Sequence, residues 1–145
     1  MIIGTRQQLC KLQPINIKVG SSEITPSSQV RNLGCWLDSN LYMRDHNTNV
    51  CKAAFFYLHK IRRIKKYLSR DSLLTLVHAF ITSRLDYCNA LLYGLPNEQI
   101  AKLQRVRNAA ARLIMDIGKY SHITPAPYEL HWLPVQARIH FKILI

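Results

Sequence analysis

The sequence predicts an α+β fold in which short strands within residues 1–40 precede a helical region over residues 41–145. Two observations carry this expectation. Up to about residue 40, β-branched residues alternate with polar ones and Gly, Ser and Pro punctuate the chain; beyond residue 44, apolar residues recur at helical intervals. The charge changes with the pattern: residues 1–45 hold five basic and three acidic groups, whereas residues 46–145 hold fifteen and five.

The elements follow in order. Met1-Ile2-Ile3 reads as the end of a strand. Alternation from Ile15 to Val19, then Gly20-Ser21-Ser22 and Glu23-Ile24-Thr25, predicts a hairpin about a Gly-Ser turn. After Pro26-Ser27-Ser28, the run Gln29–Leu37 reads as one further strand, closed by Asp38-Ser39-Asn40. Helices are expected over 44–68, 70–93, 97–117 and 134–145. Ser69 with Asp71, Pro96-Asn97-Glu98 and Leu133-Pro134 supply their starts, because side-chain oxygens cap free N–H groups and Pro suits the first turn. Tyr93-Gly94-Leu95-Pro96 is expected to stop the second helix, and Thr124-Pro125 to open one short turn.

Of the 145 residues, 48% are hydrophobic and 19% charged, enough apolar chain for one packed core and too much for wholesale disorder. No apolar run approaches the ~18 residues of a membrane span, so no membrane partner is expected. The first twenty residues lack the pattern of a secretory signal. An intracellular protein, cytosolic or nuclear, fits these features. Cys10, Cys35, Cys51 and Cys88 form no CxxC pair and read as free thiols that are mostly buried.

A net charge of +12 favours a polyanionic partner. On a wheel of about 100° per residue, Val50, Ala54, Tyr57, Leu58, Ile61, Ile64 and Leu68 share one arc, and Lys52, Arg62, Arg63, Lys66 and Arg70 lie opposite. No acid interrupts residues 46–70, so these cations have no intrahelical neutralising partner. Phe55 and Phe56 project from the basic side. Farther on, Ile100, Leu103, Val106, Ala110, Leu113, Ile114 and Ile117 form a second apolar face, backed by Lys102, Arg105 and Arg112. Cations that displace counterions at phosphates, with rings among them, suit a nucleic acid. Without a helix-turn-helix, zinc-finger or RNA-recognition signature, the expected mode is contact with a duplex backbone.

Catalytic constellations are not visible. The eight acids are scattered without an adjacent pair, the six histidines form no HExxH, and neither GxSxG nor a Gly-rich phosphate loop occurs. The expectation is therefore no catalytic residue, no metal ligand and no cofactor in this chain.

Particular strings are more informative. Val30-Arg31-Asn32-Leu33-Gly34-Cys35-Trp36-Leu37-Asp38 with Arg44-Asp45-His46 resembles the segment after the palm in reverse transcriptases of non-LTR, LINE-type retrotransposons of the jockey and chicken-repeat kind. The likeness continues through Leu68-Ser69-Arg70-Asp71, Ser83-Arg84-Leu85-Asp86-Tyr87-Cys88-Asn89, and Tyr93-Gly94-Leu95-Pro96. It then runs through Leu103-Gln104-Arg105-Val106, Asn108-Ala109-Ala110-Ala111-Arg112-Leu113 and His131-Trp132-Leu133-Pro134-Val135, so that nearly the whole chain is covered in one order.

The resemblance implies that residues 1–40 are the end of a palm, with Leu33 and Gly34 in a primer-grip-like element. It implies that residues 41–145 are a thumb-like region straddling an RNA–DNA template–primer duplex through Lys52, Arg62, Arg63, Lys66, Arg70, Arg105 and Arg112. The fingers and the palm's Ala-Asp-Asp box, which hold Mg²⁺ in the intact enzyme, would precede Met1, so polymerase activity is not expected of this chain alone. Asn47, where an apolar residue is favoured, and Ala126-Pro127 depart from the pattern. A stand-alone basic nucleic-acid-binding protein, a helical protein-interaction domain and a non-functional relic of a mobile element are the alternatives.

Overall fold

The computed structural model describes residues 1–12, 16–118 and 120–145. It is α+β, and it divides into two compact units, Met1–His46 and Asn47–Ile145.

In the first unit, α1 (Arg6–Lys11) is an element that the strand patterning does not predict. Its signal is present in the sequence: the Thr5 hydroxyl accepts from the Gln8 N–H, and the Gln8 side chain accepts from the Thr5 N–H at 2.9 Å, a reciprocal cap that satisfies two otherwise orphaned donors. Met1–Ile3 pair in no ladder, contrary to the strand reading; instead the Gly4 N–H donates to the Ser39 carbonyl. Strands β1 (Ile17–Val19) and β2 (Ser22–Ile24) form the expected antiparallel hairpin, with Ile17 opposite Ile24 and Gly20 at φ +60° in the turn. The expected Ile15 start lies outside the described residues.

The single strand expected over Gln29–Leu37 is two strands, β3 (Gln29–Asn32) and β4 (Cys35–Asp38), paired antiparallel with Asn32 opposite Cys35. Leu33 and Gly34 form the two-residue connection with φ of +46° and +86°, the signs of a type I′ turn. Gly34 tolerates this conformation and Leu33 does not favour it, which is why the sequence hides the turn. After β4, the Asp38 carboxylate accepts from the N–H groups of Asn40, Tyr42 and Met43 at 3.1, 3.0 and 2.8 Å. These bonds fix the loop that leads into the next helix.

The second unit is helical. Helix α2 (Arg44–Ile64) begins where expected but tightens into a 3₁₀ turn at Lys65–Tyr67. It buries Ala54, Leu58 and Ile61, while Val50 and Tyr57 are half-buried and Ile64 stays 45% exposed. The Ser69 hydroxyl caps α3 (Arg70–Val77), which continues through a π turn (His78–Thr82) into α4 (Ser83–Asp86). The expected extension to residue 93 fails at Tyr87. Cys88 takes φ +53°, and a separate 3₁₀ turn follows at Asn89–Leu92. With neither Gly nor Pro at that break, no sequence signal marks it.

Helix α5 (Asn97–Met115) is the hub, packing on α3, the π turn, α6 (Pro125–Glu129) and α7 (Val135–Leu144). Its buried face holds the expected Ile100, Leu103, Val106, Ala110, Leu113 and Ile114, joined by Val77, Ile81, Leu85 and Ile139, whereas the expected Ile117 lies beyond the helix end and is half-buried. Asp86 pairs with Arg138, the Val135 N–H donates to Gln104 Oε1 at 2.9 Å, and His78 packs edge-on to Trp132 at 5.8 Å.

Candidate nucleic-acid interface

Helices α2 and α5 lie alongside one another in the second unit and run in the same direction. Cys51 and Lys52 stand by Lys102 and Arg105, Arg62 stands by Ala109 and Arg112, and Lys65 pairs with Asp116. Their apolar stripes turn inward, and Lys52, Arg62, Lys102, Arg105 and Arg112 line the open surface between the two helices.

Two open grooves lie along this seam. The first, of about 590 Å³, is lined by Thr48, Cys51, Lys52, Phe55, Lys102 and Arg105. Burial pushes the Cys51 thiol up, against the opposing pull of Lys102 and Arg105, which keeps it protonated at neutral pH. The second, of about 530 Å³, is formed by Arg62, Lys65, Arg112 and Asp116 with Ala109, Leu113, Ile117 and Gly118. Here Arg112 donates to the Gly118 carbonyl and so closes the end of α5. The Lys65 ammonium, bonded to Asp116, holds that carboxyl below the usual carboxylate range.

The grooves thus bring together four of the sequence-predicted residues, Lys52 with Arg105 and Arg62 with Arg112. Arg63, Lys66 and Arg70 are exposed but line neither groove. Lys66 covers the Tyr67 ring at 4.8 Å, and Arg70 reaches Met115 Sδ at 3.5 Å. Leu33, 84% exposed, and Gly34 form the β3–β4 turn of the first unit. No protein-family model, curated protein or solved structure matches the chain. The interface therefore rests on its own geometry.

Sequence reasoning misses Lys65 and Asp116. Lys65 sits toward the apolar arc of the α2 wheel, and its carboxylate partner comes from the end of another helix. A wheel drawn for one helix cannot show that pairing. Arg107 escapes it as well: it is 3% exposed, and its guanidinium lies 4.8 Å from the Trp132 ring centre. Burial and the neighbouring Arg138 push its pKa down to about 10, with Asp86 pulling the other way. This cation belongs to the core and not to the interface.

Phe55 and Phe56 project on the basic side as expected, 45% and 56% exposed. Among the described residues no three His, Cys, Asp or Glu groups converge. Among the described residues no helix is long and apolar enough to cross a membrane.

Proposed function

We propose that the chain is the end-of-palm and thumb part of a non-LTR retrotransposon-type RNA-directed DNA polymerase, in which α2 and α5 hold the backbone of the template–primer duplex. The observation that carries this reading is that Lys52 and Arg105 at one groove, and Arg62 and Arg112 at the next, flank one seam. Ten residues separate Lys52 from Arg62 along α2, about 15 Å at 1.5 Å per residue, so the two clusters are far enough apart to meet different phosphates of one strand.

In this role the chain positions and does not catalyse. Each phosphate neutralised by a fixed cation releases condensed counterions, and the entropy of that release supplies affinity without reading sequence. The aspartates and Mg²⁺ of nucleotide addition belong to the palm of the intact enzyme. The Leu33–Gly34 turn suits a primer-grip-like role, because an exposed apolar side chain held at a positive φ is retained at some energetic cost.

Fluorescence anisotropy with a labelled RNA–DNA hybrid tests the reading. Lys52→Glu with Arg105→Glu, and Arg62→Glu with Arg112→Glu, are each expected to weaken binding. Each is also expected to flatten the dependence of log K on log salt, by about 0.9 for every phosphate that the variant leaves without a cation. Unchanged affinity and slope in both double variants would sink it.

A further inference from the structure

Beside the grooves, α2 carries a second surface of different chemistry. The Phe56 ring meets Tyr57 edge-on, with centroids 5.5 Å apart, and Tyr57 stacks on Phe80 at 5.0 Å and 20° between planes. Phe56 is 56% and Phe80 37% exposed. Two cations sit among these rings: Lys60 Nζ lies 5.3 Å from the Phe56 centroid, and the Arg84 guanidinium lies 4.8 Å from that of Tyr57. None of these contacts involves a carboxylate.

Phe80 lies in the π turn. The Ser83 N–H reaches back to the His78 carbonyl, which inserts one residue into the helical ladder, and such bulges concentrate at functional sites. Ile81, the next residue, stays fully buried, so the turn keeps the core packed while it holds the neighbouring ring at the surface.

We propose that Phe56 and Phe80, braced by Tyr57 between them, form a stacking platform for the bases of a single-stranded nucleic acid, with Lys60 and Arg84 neutralising its phosphates. This goes beyond the duplex reading, since it uses other residues and another form of the ligand. The charge decides the class of partner. An apolar protein surface would bury Lys60 and Arg84 without counter-charge, which is costly, and the cores of protein interfaces, although they accept aromatic residues and Arg, are depleted in Lys. A single strand offers what both halves of the patch need, phosphates for the cations and unpaired π faces for the rings.

The test measures anisotropy of the 145-residue chain with an oligothymidylate of about 12 nucleotides, within the span of one such module, and separately with a blunt RNA–DNA hybrid. Phe56→Leu and Phe80→Leu keep the apolar bulk and remove the π face. Circular dichroism melts like the parent's would show that the fold persists. Each variant is expected to bind the oligothymidylate roughly 5- to 160-fold more weakly, the increment of one stacked base, and the hybrid as the parent does. Oligothymidylate binding that is unchanged in both variants overturns the platform. So does a parent that binds the hybrid and not the oligothymidylate, a result that leaves the duplex reading standing. A dimer in sedimentation that both variants abolish would assign the patch to a second copy of the chain and overturn the proposal as well.

Discussion

Asp86, at the end of α4, takes both a 2.8 Å bond from Arg138 Nε and a second bond from Nη2 of the same guanidinium on α7. The Lys142 ammonium donates to the Asp86 carbonyl at 3.2 Å. One carboxylate therefore ties α4 to α7 and supplies negative charge beside the buried Arg107.

Asp86→Ala is expected to destabilise the protein by about 2–3 kcal/mol, below the roughly 3–5 of a fully buried pair because both partners retain some solvent exposure. Arg107→Met should cost less than about 1 kcal/mol, since a thioether chain of similar length covers the Trp132 ring and no buried charge is left alone. Urea titrations compare the two. A larger loss for Arg107→Met would show that this guanidinium, and not the Asp86–Arg138 pair, fastens the helices.

The contrast between these residues also explains what the sequence reveals. Asn97–Met115 is legible because its apolar residues follow one period and Pro96 marks its start. The cation pairs flanking the α2–α5 seam are legible for the same reason: opposite an apolar stripe, Lys and Arg have one place to go. Arg107 follows that stripe inward, and Trp132 and Asp86, both brought by distant segments, make its burial tolerable. The break at Cys88 and the turn at Leu33 are hidden because residues that disfavour a positive φ adopt one there.

His46 is 4% exposed, and its Nδ1 accepts from the Trp36 N–H at 3.5 Å, which requires the neutral ring. Burial holds its pKa below the ordinary 6.5. Protons therefore bind the unfolded chain more tightly than the folded one at this group. Its contribution to stability is complete above pH 6.5 and is lost as pH falls through the lowered folded value. Thermal melts at about pH 7.5 and about pH 5 should differ less for His46→Gln than for the parent. Equal differences would mean that other groups carry the acid sensitivity.

Asn47 is fully buried, with neither its Oδ1 nor its Nδ2 hydrogen-bonded among the described residues. The helical period favours an apolar residue at this position, and the burial agrees. Asn47→Ala replaces an unsatisfied amide with a smaller apolar side chain and a better helix former, so a gain of about 1 kcal/mol is expected. The urea midpoint should rise with the slope unchanged. A fall in midpoint would show that Asn47 has a polar partner in solution.

Asp116 bears on the proposed interface directly. Among the described residues it is the only carboxylate lining the groove that also holds Arg62, Lys65 and Arg112, and it ends α5 in the left-handed conformation at φ +57°. Asn accepts that conformation readily, so Asp116→Asn changes the charge and leaves the backbone alone. The Lys65–Asp116 pair is solvent-exposed on the Asp116 side, and such pairs contribute little to stability, so the melting temperature should be unchanged. Binding should respond: the variant releases Lys65 and removes a negative charge from the path proposed for the phosphates. Affinity for an RNA–DNA hybrid is expected to rise roughly 2- to 10-fold at low salt, and the gain should fade as the Debye length shortens. Anisotropy titrations at two salt concentrations read both effects. An affinity indistinguishable from the parent's at low salt would mean that the duplex does not pass over this groove.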